Sequence, residues 1–474
     1  MSVIGFIQFI IIGWVFLKLI RFSGLWQEKL GLSFILGSGL QTVTYFWLIT
    51  RTNITNQTTY LGFAIILLAI LSFLYLVSKK IFPDWISRPI NVTEVDTIHR
   101  KKIMFLSWLC IFVLFIIAVT LAIYTPVHTT DSIHLYDFRA KIMYYSQSLS
   151  AIRQIDYWYT YPMFSSMIHL FVYYFGLQNP SIYWPIMLLS FALIFYALLK
   201  KEKGPTIASL VTLAMYSTPL IFWQSRLDGL TNLPYTILYC TAIFYAIEAV
   251  KPVTTNLSAL LVSALATSLS IWTRANEPFW TVPIVVVFLT ILAKKRLPLS
   301  ALLYYLLISP IKNMWNNYAQ TITNIDLTSG VKGVITSVKF APSSSADHAI
   351  VADKYLLRIT TNIIIILSQA LATLGLILPV LFQSLSPVIY IFFPMLLLGS
   401  SNQQKLLLAS IVLTALLLWG GSTFVYINFD WQLLDNPLSR LSGIFIPLMW
   451  MYIAQSSVWQ SISFLSPVPK NNHQ

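Results

Sequence analysis

IMFLSWLCIFVLFIIAVTLAIY occupies positions 103–124. The run carries no charge and is long enough to cross a bilayer as a helix, for which about 20 apolar residues suffice. Within hydrocarbon no water satisfies backbone N–H and C=O groups, so such a run must be helical. Similar runs lie on both sides of it. Earlier ones fall near 2–20, 30–50 and 60–78. Later ones fall near 182–199, 206–223, 233–250, 257–272, 278–293, 299–315, 363–383, 387–400, 406–427 and 444–460. The chain of 474 residues is 57% hydrophobic and 10% charged, whereas a soluble domain is about 25% charged. The expected fold class is an all-α polytopic membrane protein with about thirteen or fourteen transmembrane helices.

Other classes drop out. The first run has neither a basic leader nor a small-residue cleavage site, so no cleavable signal peptide is expected. Cys110 and Cys240 lie inside apolar runs and read as core residues rather than a disulfide or metal pair. The net charge of +14 does not point to nucleic acid, because Lys and Arg collect in the cytoplasmic loops of membrane proteins. Here they gather at Lys79, Lys80, Arg88, Arg100, Lys101 and Lys102, at Lys200, Lys201 and Lys203, and at Lys294, Lys295 and Arg296. These loops are expected inside, which places the N-terminus and the segment 125–181 outside.

Four regions follow: 1–102, with extra N-terminal helices and a basic loop; 103–315, a transmembrane core with outer loop 125–181; 316–362, a second outer loop; and 363–474, C-terminal helices. Within the first outer loop, YPMFSSMIHLFVYYFG (161–176) is apolar but short. It is expected as an amphipathic helix lying at the outer interface. The run 387–400 is also short, and whether it crosses decides the side on which 428–443 falls.

The chain holds only sixteen acids, and the cores of the expected spans are almost uncharged. An ion-coupled transporter usually places ionisable groups near the midplane. Instead Asp131, Asp137, Arg139, Lys141, Asp156, Arg226, Asp228, Arg274 and Glu277 cluster at one membrane face. The segment TTDSIHLYDFRAK (129–141) starts this cluster. Read as a helix, it aligns Asp131, His134, Phe138 and Lys141 on one face and sets Asp137 four residues before Lys141, where the two can pair. Asp131 after two threonines also reads as a helix N-cap. His134 and His169 read as interfacial packing residues.

An acid near the membrane followed by Y-x-x-R-A-K resembles the GT-C superfamily of integral membrane glycosyltransferases, which includes the aminoarabinose transferase and the protein O-mannosyltransferases. Asp131, Tyr136, Arg139 and Ala140 carry the first motif, and Tyr161–Pro162 stands where a Y-P follows. TPLIFWQSRLDGLTNLPYTILY (218–239) is similar to a segment ending G-Y-A-D-L-P; aligned on Gly229 and Pro234, Asn232 takes the place of that Asp, with Asp228 four residues earlier. WTRANEPFW (272–280) is similar to T-K-N-E-G through Arg274, Asn276 and Glu277, with Pro278 in place of Gly. Arg440 in DNPLSRLSGIFIPLMW (435–450) is similar to the Arg that opens the last span. The likeness covers roughly 103–300 and this last piece.

The resemblance implies a GT-C-like fold with juxtamembrane helices in the first outer loop. It implies transfer of a sugar from a polyprenyl-phosphate donor to an envelope glycan, lipid or protein outside the plasma membrane. Asp131 would be the catalytic base for the acceptor hydroxyl. Arg139, Arg226, Arg274 and Arg440 suit phosphate oxygens, and Lys141, Asp228, Asn232 and Glu277 complete the substrate-binding set. A divalent cation on Asp131 fits carboxylate chemistry, and some members of the superfamily need one while others do not; no metal-ligand spacing is visible. Two other classes stay open. A polysaccharide polymerase or ligase would use the late loop, with Asp326, Asp347, His348 and Asp353. A lipid-linked sugar flippase or transporter would need charges that the spans lack.

Overall fold

A computed structural model describes residues 2–81, 98–125, 127, 129, 131–153, 161–226, 230–250, 256–274, 278–293, 308–319, 363–397, 402–428, 435–456 and 458–461. Among them there is no named strand, and one isolated bridge joins Ile54 to Ser148. The protein is an all-α polytopic membrane protein.

The first four helices are α1 (Ser2–Leu19), α2 (Trp26–Thr52), α3 (Gln57–Ile81) and α4 (Ile98–Tyr124). A π-helical turn over Ser132–Asp137 leads into α5 (Phe138–Ser146), α6 (Ser150–Arg153) and α7 (Phe164–Tyr174). Then come α8 (Tyr183–Ser217), α9 (Pro219–Arg226), α10 (Asn232–Val250), α11 (Leu257–Thr273), α12 (Thr281–Ala293) and α13 (308–319). The last described are α14 (Ile363–Ser384), α15 (Val388–Leu396), α16 (Asn402–Asn428), α17 (Asp435–Leu441), α18 (Phe445–Ala454) and α19 (Val458–Ser461). Among the described residues five helices are long and apolar enough to cross a membrane: α2, α3, α4, α8 and α16. Where the other apolar runs are described, they form shorter or bent helices.

The two runs read at 182–199 and 206–223 meet in α8, which breaks at Gly204 (φ 80°, ψ 168°) before Pro205. Glycine tolerates that left-handed φ. The basic residues of the expected inner loop sit at this break. Lys201 Nζ lies 2.7 Å from Glu28 on the first turn of α2, and Lys203 Nζ donates to the Gln455 carbonyl at 3.0 Å. Arg21 donates to the Ser78 carbonyl at 2.8 Å. These bonds gather the end of α1, the start of α2, the end of α3, the break in α8 and the end of α18 at one basic end of the bundle.

The helix α2 lies inside the bundle. Its Gly31 backs onto the Ser190 carbonyl, and its Ser38 hydroxyl is 2.6 Å from Tyr183 Oη on α8. Its Thr42 accepts from Trp272 Nε1 of α11 at 3.1 Å. Against α1 the approach is closer still. A Cβ on Gly13 would overlap the Ser33 carbonyl, and one on Gly37 would overlap the Phe9 carbonyl. The rings of Phe9, Phe34, Tyr45, Tyr60, Phe171 and Tyr183 interlock beside this contact.

Three expectations are corrected. The segment 161–176 does contain a helix, but every residue of α7 is buried. It is enclosed by the protein rather than lying exposed on its surface, because its polar side meets a buried carboxylate and its apolar side meets the aromatic core. The run 387–400 is no separate straight span: α14 and α15 are bent by 110° at Ser384–Val388, a broken span or re-entrant loop. Asp131 makes no side-chain cap bond to the turn that follows it; its carboxylate is held elsewhere, as described below. Of the loop 316–362 only 316–319 are described, so Asp326, Asp347, His348 and Asp353 lie outside the described residues, as does Asp156.

Candidate functional site

The segment 129–153 is stitched to the end of the bundle opposite the basic one. Asn53, in a left-handed conformation at the end of α2, donates to Ser150 Oγ (3.1 Å) and accepts from the Ser150 N–H (2.7 Å). Thr55 donates through its hydroxyl to the Met143 carbonyl at 2.7 Å. At the other side Asn179 donates to the Thr125 carbonyl at 2.6 Å and caps the turn that starts α8. The connection between α2 and α3 thus fixes the height and direction of α5.

A π-helical turn is rare and is frequently found at functional sites. Here it precedes α5 without breaking the division of faces expected from the sequence. Asp131, His134, Phe138 and Lys141 are exposed, while Ser132, Leu135, Tyr136, Asp137, Arg139 and Ala140 are buried.

On the exposed side, Arg440 Nη1 donates to Asp131 Oδ2 at 2.9 Å. The partners stand 309 residues apart, so the last region of the chain returns to the first outer loop. This places 435–441 at the same end as 129–141. Gln224 on α9 holds the same element by donating to the Arg440 carbonyl at 2.7 Å. Arg226 ends α9 with its guanidinium 3.2 Å from the centre of the Trp223 ring.

On the buried side the motifs meet through Tyr136 and Tyr161. Tyr136 Oη is 3.2 Å from Thr231 Oγ1, just before α10, and burial pushes its phenol well above the ordinary value, so it stays neutral. The Tyr136 and Tyr161 rings meet edge to face at 6.3 Å. Arg139 Nη1 donates to the Tyr161 carbonyl at 2.9 Å. The Arg274 guanidinium lies 5.8 Å from the Tyr161 ring centre and donates to the Asn232 amide oxygen. Asn232 opens α10, whose first turn accommodates Pro234 because that proline's missing N–H has no partner there to lose.

Of the expected site residues, Asp131, Arg139, Asn232, Arg274 and Arg440 therefore make contacts within one end of the bundle. Arg226 flanks them on α9. Lys141 belongs to a neighbouring cluster, where its Nζ is 2.8 Å from Asp137 Oδ2. Asp228 and Glu277 lie outside the described residues.

That neighbouring cluster holds residues the sequence reading treated as packing. Asp137 Oδ1 accepts from the Tyr173 hydroxyl, and His169 Nδ1 lies 3.3 Å away. Burial raises the Asp137 pKa, but the hydrogen bond and charge of His169, with Lys141 and Tyr173, outweigh it and hold the carboxyl well below the usual range. The signal was present in part, since Asp137–Lys141 and His169–Tyr173 are both four-residue steps on helices.

The Arg440 guanidinium fills the cationic position beside Asp131. Among the described residues no three His, Cys, Asp or Glu side chains group to hold an ion.

Comparison of the chain with protein-family models, with curated proteins and with solved structures found no match.

Proposed function

We propose that this protein is a membrane glycosyltransferase of the GT-C type. It would transfer a sugar from a polyprenyl-phosphate donor to a hydroxyl of an envelope glycan, lipid or protein at the outer face of the plasma membrane. The observation that carries this reading is convergence. Four sequence segments resemble motifs of one superfamily, and residues from all four come together at one end of the bundle: Asp131 with Arg440, and Asn232 with Arg274 beside Tyr161. The gathering of Lys and Arg at the opposite end supports an outward-facing site.

In this reaction the acceptor oxygen attacks the sugar's anomeric carbon, and the bond from that carbon to the phosphate oxygen breaks. The acceptor proton passes to Asp131, of which only one oxygen is engaged by Arg440 among the described residues. The leaving phosphate departs on its lipid carrier. Guanidinium groups that are already oriented stabilise the charge it gains. Arg440 and Arg274 suit this task.

The test is mass spectrometry of surface glycans and glycolipids in a deletion strain complemented with wild type or with Asp131→Asn. A sugar lost on deletion and restored by wild type alone is the expected result. Equal restoration by an Asp131→Asn protein that is folded and inserted would remove Asp131 from catalysis. An unchanged glycan profile on deletion, with the protein normally expressed, would remove the transferase reading itself.

A further inference from the structure

The last turns of α2 line a cavity of about 560 Å³ against α13. Ordinary ligand sites measure roughly 300–1,000 Å³. The lining divides into two parts. Val43, Pro310, Ile311 and Met314 give an apolar floor. Trp47, Arg51, Asn313 and Asn317 give a polar and aromatic rim. Arg51 stands two turns beyond Val43, about 12 Å along the helix axis, towards the end of α2 that is bonded to Ser150.

Among the described residues no acid lines this cavity and none pairs with Arg51. Its guanidinium sits 5.2 Å from the centre of the exposed Trp47 ring. Stacking of that kind uses the guanidinium face and leaves its N–H edge for an anion. Asn313 and Asn317 are exposed one turn apart on α13, with no side-chain partner among the described residues. Tyr318 closes the back of the cavity, edge to face with Phe46 and tilted against Trp315, and both of these meet Trp272.

We propose that this cavity binds a phosphate-bearing membrane lipid. The phosphate lies on Arg51 and the two amides, and the first part of the chain lies on the apolar floor. Charge complementarity selects the phosphate. The apolar floor on a spanning helix selects a lipid over a soluble anion, and the exposed Trp47 ring beside Arg51 suits the headgroup level of a bilayer. The site shares no lining residue with the Asp131 cluster, so it stands whether or not Asp131 catalyses transfer.

The experiment is native mass spectrometry of the full chain in detergent, titrated with phosphatidic acid or with diacylglycerol of the same chains. The two probes differ only in the phosphate. Wild type should retain phosphatidic acid over diacylglycerol. Arg51→Gln should weaken that retention by about ten- to a hundredfold, the usual worth of a charged hydrogen-bonded contact. Lys18→Gln, at the basic end, should leave it unchanged. If Arg51→Gln fails to fold, the paired exposed changes Asn313→Leu and Asn317→Leu decide, with the same direction expected. Undiminished retention in the folded variants, or equal retention of diacylglycerol, overturns the site. Full displacement of phosphatidic acid by millimolar inorganic phosphate assigns the cavity to a soluble anion and overturns the lipid.

Discussion

Arg274, just beyond the end of α11, donates to the side-chain oxygen of Asn232, the first residue of α10. The amide is a neutral acceptor for that guanidinium. Asn232→Asp should therefore fold and melt at or above the wild-type temperature, since a carboxylate accepts from Arg more strongly than an amide does. Asn232→Leu removes the acceptor and should cost about 1–3 kcal/mol. Thermal unfolding of the two purified variants in the same detergent checks the order. An Asp variant as unstable as the Leu variant would contradict it.

Glu28 is fully buried and meets Lys201 Nζ at 2.7 Å and the Tyr245 hydroxyl at 2.7 Å. Lys201→Met leaves the carboxylate without its cation and should destabilise the protein by about 3–5 kcal/mol. Combining it with Glu28→Gln should recover most of that loss, because no unpaired charge is then buried. Denaturant titration of both variants measures the difference. A double variant no better than the single one would show that packing, not charge, dominates there.

Asp137 has a folded-state pKa held below its ordinary 3.8 by His169, Lys141 and Tyr173 acting against burial. A depressed carboxyl stabilises the fold at pH values above its unfolded pKa. That contribution is lost as pH falls through 3.8 towards the folded value. Melting temperatures from pH 6 down to about pH 3 should therefore fall more steeply for wild type than for Asp137→Asn. Lys141 is half exposed and screened by solvent, so Lys141→Gln should flatten the slope less than Asp137→Asn does. Parallel curves for wild type and Asp137→Asn would refute the assignment.

The α1–α2 contact admits no side chain at Gly13. Gly13→Ala forces the backbones apart and should cost about 1–3 kcal/mol, the range for overpacking. Gly62 on α3 has nothing within 4 Å of an added Cβ. Gly62→Ala should be neutral or stabilising by up to about 1 kcal/mol. A thermal shift comparison of the two alanine variants tests the asymmetry.

The sequence made the helices legible because apolar length and basic loops are local properties. The break at Gly204–Pro205 fell where Lys200, Lys201 and Lys203 suggested a turn, and the Asp137–Lys141 pair followed from helical spacing. The burial of α7 was not legible. An amphipathic helix of this length reads the same whether its polar side faces water or a buried Asp137. The Arg440–Asp131 bond was not legible either, since no local pattern joins residues 309 apart. What the sequence did supply was the short set of charged residues among which such a bond had to be made.

The buried Glu28–Lys201 pair also has a history in time. Glu28 leaves the ribosome 173 residues before Lys201. At about 5–20 residues per second it waits roughly 9–35 s for its cation. Until then α2 cannot take its place among α8 and α11, for neither exists. During synthesis the N-terminal hairpin therefore exists before the rest of its own binding cleft is made.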